Sequence, residues 1–140
     1  QTPLMRTARL VNDNKPQQVF NRIHKAASEW RKHHQSDPKI ALLGLAFKPD
    51  IDDLRESPAM EAAALVIEAG WSDVAIVEPH ITSLPNGLAK ANVHLESLSV
   101  AVGAADIVAH LVDHTAFRSL TLSELARTTY LSFCWEIFAE

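Results

Sequence analysis

From residue 39 onward, short apolar runs alternate with amphipathic segments, and this alternation limits the folds open to the chain. The runs read KIALLGLAF, DVAIVEP, ADIVAHLV and TTYLSF, and each has the length of a β-strand. Continuous apolar runs are typical of strands buried on both faces of a parallel sheet. The order strand, helix, strand predicts an α/β fold, an open doubly wound parallel sheet of the Rossmann-like type.

A helical lead-in precedes the first run. Apolar residues recur at steps of three and four between residues 4 and 33, the spacing of an amphipathic helix. Pro16 interrupts the pattern, so the sequence predicts helical segments near residues 4–12 and 15–33. The apolar stripe of the second segment is expected to cover the sheet or a second copy of the chain. Its members include Val19, Phe20, Ile23 and Trp30.

The helix after the first run carries signals at both ends. Ser57 is a favourable N-cap, Pro58 suits the first helical position, and Gly70 suits a left-handed C-terminal cap. Shorter helices are predicted within HLESLSVAVGA and at TLSELA. These signals agree with the α/β order.

Length and charge exclude several functional classes. The 140 residues suffice for one domain with a core, and a net charge of -4 gives no footprint for nucleic acid or an anionic membrane. The apolar runs are far below the roughly 18 residues of a bilayer span, and no signal-peptide order is visible, which predicts a cytoplasmic protein. The single cysteine, Cys134, lies in an apolar context and is expected to be buried and unreactive.

A dense charged loop follows the first strand, in the stretch GLAFKPDIDDLRESPA at residues 44–59. Ligands of such sheets bind beyond the carboxyl ends of the strands, and the loop leads into a helix N-terminus, where amides and the dipole favour anions. Lys48 and Arg55 add positive charge suited to phosphate oxygens. Composition leaves open a second interpretation, in which the loop charges only pair with one another: Asp52, Asp53, Arg55 and Glu56.

These residues resemble the signature of the C-terminal, UDP-binding domain of the UDP-glucose/GDP-mannose dehydrogenase family, and ARLVNDNKP resembles the end of the central helical linker before it. The form FKPDIDDLRESPA is most similar to the branch that oxidises UDP-N-acetyl-D-mannosamine. The resemblance implies NAD-dependent oxidation of the sugar C6 alcohol to a carboxylate, through a thiohemiacetal on a cysteine. It further implies a dimerisation region ending in residues 1–36, a UDP-sugar-binding domain at 37–140, and a homo-oligomer.

The resemblance also assigns roles within the loop. Phe47 and Lys48 match the pair that contacts the nucleotide-sugar substrate in the family, and Arg55 matches the arginine that reaches NAD across the interdomain cleft. Three acidic residues match the motif too and are expected to hold Arg55 and the loop in place: Asp52, Asp53 and Glu56.

Other parts of the family's apparatus are missing from this sequence. Its four glycines never form G-x-G-x-x-G, so NAD is expected to be held mainly by an N-terminal domain outside the chain. No catalytic residue is assigned, because Cys134 is a poor nucleophile candidate, and the chain alone is not expected to be catalytically competent. Glu78 follows the second strand, where dinucleotide folds place a ribose-binding acid, but the glycine loop is absent.

No metal ligand is assigned either. His110 and His114 are four residues apart, but the first falls in a predicted strand and the second in the turn after it, so they do not share a helix face. Structural histidines are expected instead. An EF-hand alignment that begins at Asp50 fails at Leu54 and Arg55, where an oxygen ligand and a glycine are needed.

The closing stretch TTYLSFCWEIFAE departs from the family pattern. Family members finish with a turn whose basic residue helps to bind the substrate, and this stretch has no basic residue. An alternative therefore stands beside the enzyme hypothesis: a non-catalytic binding or assembly module of the same fold that has lost its ligand.

Overall fold

The computed structural model describes residues 16–134. The α-helices and strands are, in chain order, α1 (Pro16–His34), β1 (Lys39–Leu43), α2 (Pro58–Glu68), β2 (Asp73–Val77), β3 (Val93–Leu95), α3 (Leu98–Ala104), β4 (Ile107–His110), α4 (Leu122–Leu125) and β5 (Thr129–Ser132), with short 3-10 helices at Asn86–Leu88 and Thr115–Ser119. All strand pairs are parallel, in the order β3-β2-β1-β4-β5. One face of the sheet packs against α1 and α2 and the other against α3, so the predicted doubly wound α/β fold is confirmed.

The lead-in helix packs on its own domain. Ile23 and Ala27 of α1 are fully buried, and the neighbouring apolar residues of the stripe pack against the same core cluster. The expectation that the stripe covers the sheet domain is therefore confirmed, and a second copy stays a prediction. The helical segment predicted near residues 4–12 lies outside the described residues. Among residues 16–134, no helix is both long enough and apolar enough to cross a membrane.

The end signals of α2 are confirmed. The Ser57 side chain accepts hydrogen bonds from the first-turn amides of Ala59 and Met60, and Pro58 is the first helical residue. Gly70 follows the helix with φ of 86°. A residue with a side chain rarely adopts that conformation, which explains the glycine.

Two strand predictions are wrong in detail. The run KIALLGLAF leaves the sheet after Leu43, where Gly44 turns the chain with φ of 96°. A Cβ atom at this position would lie 2.6 Å from Cβ of Val112, which explains the glycine. Leu45 and Ala46 are buried without belonging to the strand. The sequence also missed β3, which includes an exposed histidine, and two of its three residues, His94 and Leu95, fall in the stretch that was predicted to hold a short helix.

The strand order creates a switch point between β1 and β4. From β1 the chain crosses to β2 on one side of the sheet, and later it places β4 on the other side of β1. In doubly wound sheets the crevice at the carboxyl ends of two such strands is the usual ligand site. The charged loop after β1 begins at this crevice.

Candidate functional site

The charged loop between β1 and α2 is a closed turn. The Phe47 N–H donates to the Asp53 carbonyl oxygen at 2.9 Å, which draws the two ends of the turn together. Asp50 and Glu56 have positive φ values of 63° and 54°. Residues with side chains keep such conformations only where surrounding contacts hold them, and these conformations are frequent at functional sites.

The first anchor of the loop is Glu78, at the carboxyl end of β2. The residue is 3% exposed, and Oε1 accepts hydrogen bonds from the Leu45 and Ala46 amides at 2.8 and 3.2 Å. His114 Nε2 lies 2.9 Å from the same oxygen, and Oε2 accepts from the His80 amide. Burial alone would raise the pKa of Glu78, but the hydrogen bonds from His114 and Leu45 outweigh it and hold this pKa below its ordinary value.

The second anchor is His114, which follows β4 and is fully buried. Its Nδ1 accepts a hydrogen bond from the Asp50 N–H at 2.7 Å, so Nδ1 carries no proton and Nε2–H donates to Glu78. The Asp50 carboxylate in turn accepts from the amide and the hydroxyl of Thr115, at 2.7 and 2.6 Å. The Thr115 hydroxyl and then its amide lower the pKa of Asp50. These contacts join the segments after β1, β2 and β4.

Asp50, His80 and His114 bring possible ligand atoms within 4.8 Å of one another. Both ring nitrogens of His114 already have hydrogen-bond partners, and both carboxylate oxygens of Asp50 accept from Thr115. A cation bound by His114 would have to displace the Asp50 amide from Nδ1. The arrangement therefore favours a structural network over a metal centre.

The outer side of the loop presents an aromatic ring and a cation. Phe47 is 50% exposed, and the Lys48 Nζ lies 5.9 Å from the centroid of its ring. Within residues 16–134, Lys48 has no carboxylate within ion-pair distance. An exposed ring beside an uncompensated cation can stack on a base or a sugar and bind a phosphate.

Arg55 differs from Lys48 because its charge is already paired. Its side chain is 88% exposed, and Nε and Nη2 donate to the two Asp53 oxygens at 3.0 and 3.2 Å. Asp53 also accepts from the Arg55 amide. The bonds from the Arg55 side chain and amide lower the pKa of Asp53, and the same carboxylate raises the pKa of Arg55.

The predicted scaffolding role is confirmed for one acid and wrong for two. Asp53 holds Arg55 and closes the turn, whereas the side chains of Asp52 and Glu56 make no hydrogen bond or ion pair with another described residue. Asp50, for which no role was predicted, makes more hydrogen bonds to the rest of the domain than either of them. Its contacts are with residues 64 and 65 positions away, which no local motif reveals. The interpretation of the loop as charges that only pair with one another holds for Asp53 and Arg55 alone.

The start of α2 is not an open anion site, contrary to expectation. The Ser57 Oγ occupies the amides of Ala59 and Met60 and donates to the Leu45 carbonyl oxygen at 2.7 Å. The amides that a phosphate would use are therefore satisfied within the protein. What Ser57 adds is a link between the helix and the end of β1.

The remaining candidates are structural. Both carboxylate oxygens of Glu78 already have hydrogen-bond partners within the protein. A role for Glu78 as a ribose-binding acid is therefore not supported. Cys134 is buried against the His110 carbonyl oxygen, as predicted. His110 ends β4 and its Nδ1 lies 2.6 Å from the Tyr130 hydroxyl, and burial lowers the pKa of His110. Both His110 and His114 form hydrogen bonds within the domain, which agrees with a structural role.

Comparison with known proteins identifies the class. The model of the UDP-glucose/GDP-mannose dehydrogenase family, UDP binding domain, matches residues 41–135, and the chain belongs to this family. It is 45% identical over 132 residues to UDP-N-acetyl-D-mannosamine dehydrogenase of Campylobacter jejuni, covering 94% of this chain and 30% of that protein. It is also 45% identical to NDP-N-acetyl-D-galactosaminuronic acid dehydrogenase of Ralstonia nicotianae, over 87% of this chain and 27% of that protein. The chain thus spans about 30% of the length of these relatives.

Solved structures agree with this class. A ternary complex of GDP-mannose dehydrogenase from Pseudomonas aeruginosa superposes with a TM-score of 0.64 at 24% identity, over 93% of this chain and 29% of that one. NDP-N-acetyl-D-galactosaminuronic acid dehydrogenase from Methanosarcina mazei gives 0.61 at 28% identity, over 81% of this chain and 22% of that one. Because the GDP-mannose dehydrogenase structure is only 24% identical to this chain, its likeness supports the fold alone.

Proposed function

We propose that the chain is the nucleotide-sugar-binding part of an NAD-dependent UDP-sugar 6-dehydrogenase, with UDP-N-acetyl-D-mannosamine as the substrate. The observation that carries the proposal is the exposed pair Phe47 and Lys48, which lies at the switch point on a loop anchored from two other strands. The family and the names of the relatives support the substrate class. In the proposed division, residues 37–140 bind the UDP-sugar and residues 1–36 belong to the central helical region.

The two loop residues would divide the work of binding the substrate. The Lys48 ammonium binds a diphosphate oxygen, and the Phe47 ring packs against the nucleotide or the sugar. Neither side chain is a proton donor or acceptor for the chemistry. The contribution of this chain is therefore binding and orientation of the sugar C6 hydroxymethyl group toward a second domain.

Arg55 is proposed to contact NAD, which accepts the hydride when it is bound. The residues present fit one contact of this kind. The Arg55 guanidinium is exposed and Asp53 holds it in a fixed orientation, but the 140 residues contain no glycine-rich dinucleotide loop. The main NAD site would therefore be on another domain, across a cleft from this loop. We also propose a cytoplasmic homo-oligomer.

One observation favours the second candidate, a non-catalytic binding or assembly module. The stretch TTYLSFCWEIFAE lacks the basic residue that family members place there. Calorimetric titration of the 140-residue chain with UDP separates the two proposals. The enzyme proposal predicts saturable binding. If millimolar UDP produced no heat of binding and did not compete with another nucleotide ligand, the assembly module would be favoured.

A further inference from the structure

We propose that His114 is a positioning residue for the nucleotide-sugar site, because its imidazole fixes the segment that carries Phe47 and Lys48. This inference rests on the proposed function for its ligand, but its structural part is tested without any ligand. The imidazole acts as the neutral Nε2–H tautomer, bridging the Glu78 carboxylate and the Asp50 amide.

The two anchors enclose the proposed binding residues. Glu78 holds the amides of Leu45 and Ala46, the two residues directly before Phe47. His114 holds the amide of Asp50, which follows Lys48 after one intervening proline. The stretch between these two anchors is therefore three residues long, and each of its ends is tied to the same buried pair; within it the Phe47 amide also donates to the Asp53 carbonyl oxygen.

The bridge also explains how Asp50 keeps its left-handed conformation. Asp50 has φ of 63°, and three hydrogen bonds hold it there, one to His114 and two from Thr115. If His114 no longer accepted the Asp50 amide, that N–H would lose its partner beside the segment that carries Lys48. Relaxation of φ at Asp50 would then change the direction in which Lys48 leaves the loop.

Only one nitrogen of His114 is assigned to positioning, and this makes the proposal specific. Nδ1 accepts from the loop, whereas Nε2–H satisfies Glu78 inside the domain. A residue that only filled the core would need neither bond in particular. Loss of the Nδ1 acceptor should therefore change the position of the loop, whereas loss of either hydrogen bond should lower the stability of the domain.

Two substitutions separate the nitrogens. The amide oxygen of His114→Asn can replace Nδ1 as the acceptor for Asp50, and the amide nitrogen of His114→Gln can replace Nε2–H as the donor to Glu78. We expect His114→Asn to keep UDP affinity within about threefold of the original chain and His114→Gln to lose about tenfold or more. His33→Asn, on the exposed last turn of α1, is the matched control and should leave the affinity unchanged. Equal affinities for His114→Asn and His114→Gln would overturn the proposal.

NMR of the original 140-residue chain provides the ligand-free test. The NMR signals of the His114 ring nitrogens should show a proton on Nε2 alone, and the proton of the Asp50 amide should exchange slowly with solvent. A proton on Nδ1, or fast exchange at Asp50, would overturn the proposal even if the His114 variants failed to fold. If this signature is found but the chain binds no UDP, the proposed function fails while the link between His114 and the loop stands.

Discussion

Glu78 and His114, 36 residues apart in sequence, form a buried pair in which the carboxylate oxygen Oε1 lies 2.9 Å from Nε2. Glu78 directly follows β2 and His114 follows β4, so the pair spans the strand between them, β1. The same oxygen accepts two amides from the segment that leaves β1. A buried carboxylate with this many donors is stabilised in its charged form.

This pair predicts a specific loss of stability in acid. The pKa of Glu78 is held below its ordinary value of 4.5, so the unfolded chain takes up the proton first as the pH falls. The stabilisation by Glu78 is therefore complete above about pH 4.5 and is lost as the pH falls through the lower folded pKa. Urea unfolding across this pH range should show the loss.

Glu78→Gln should lower the free energy of unfolding at neutral pH by about 1.5–3 kcal/mol, because an amide cannot accept from every donor around it. The same substitution should also reduce the loss of stability below pH 4.5, the ordinary pKa of a glutamate such as Glu78. Glu29→Gln on the exposed face of α1 is the control and should change neither quantity. If Glu78→Gln lost as much stability in acid as the original chain, groups other than Glu78 would be the cause of that loss.

Lys48 and Arg55 should respond differently to removal. Lys48→Ala should weaken UDP binding by about 1–3 kcal/mol, the scale for losing a charge-assisted hydrogen bond. Arg55→Ala should matter little, because Asp53 already neutralises that charge. Lys39→Ala removes the same charge at the opposite end of β1 and is the control. Equal losses from Lys48→Ala and Arg55→Ala in calorimetry would mean that both residues line one phosphate site.

Ser57→Ala should destabilise the domain more than an ordinary cap substitution does. It removes a cap to two amides and leaves the buried Leu45 carbonyl oxygen without its donor, so we expect a loss of about 2 kcal/mol or more in urea unfolding. Ser97→Ala removes only the exposed cap of α3 and should cost about half as much or less. A larger loss at Ser97 would contradict the bridging role of Ser57.

Gly44→Ala and Gly103→Ala should change stability in opposite directions. At Gly44 the positive φ and the 2.6 Å approach to Cβ of Val112 leave no room for a methyl group, and a loss of about 2 kcal/mol or more is expected. Gly103 lies inside α3 with nothing within 4 Å of an added Cβ, so alanine should gain about 0.5–1 kcal/mol. Thermal unfolding of both variants measures the contrast, and equal signs would refute the argument.

Local chemistry explains what the sequence could predict. The Ser57 cap, Pro58 in the first turn and the left-handed Gly70 each act within a few residues, so the bounds of α2 could be inferred from its own segment. The early end of β1 could not, because it depends on the contact of Gly44 with Val112. The apolar run KIALLGLAF gave the same signal on both sides of that break.

The candidate site divides in the same way. Phe47 and Lys48 could be proposed from the sequence because they lie in one continuous motif at a strand end. The anchors were missed because Glu78 contacts residues 33 and 32 positions away and His114 contacts one 64 positions away. Charge density in the loop indicated a function, but only the tertiary structure shows that the Asp50 carboxylate bonds to Thr115 while Asp52 makes no such bond.

The central claim, that the loop at residues 46–56 binds the nucleotide sugar, is tested most directly by NMR mapping of a UDP-N-acetyl-D-mannosamine titration. Backbone and side-chain signals of the 140-residue chain would be followed to millimolar ligand, with Lys48→Ala as the matched sample. The account predicts saturable shifts centred on Phe47 and Lys48 that become much weaker in Lys48→Ala. Shifts centred instead on the pocket lined by Lys39 and His94, or shifts equally strong in Lys48→Ala, would contradict it.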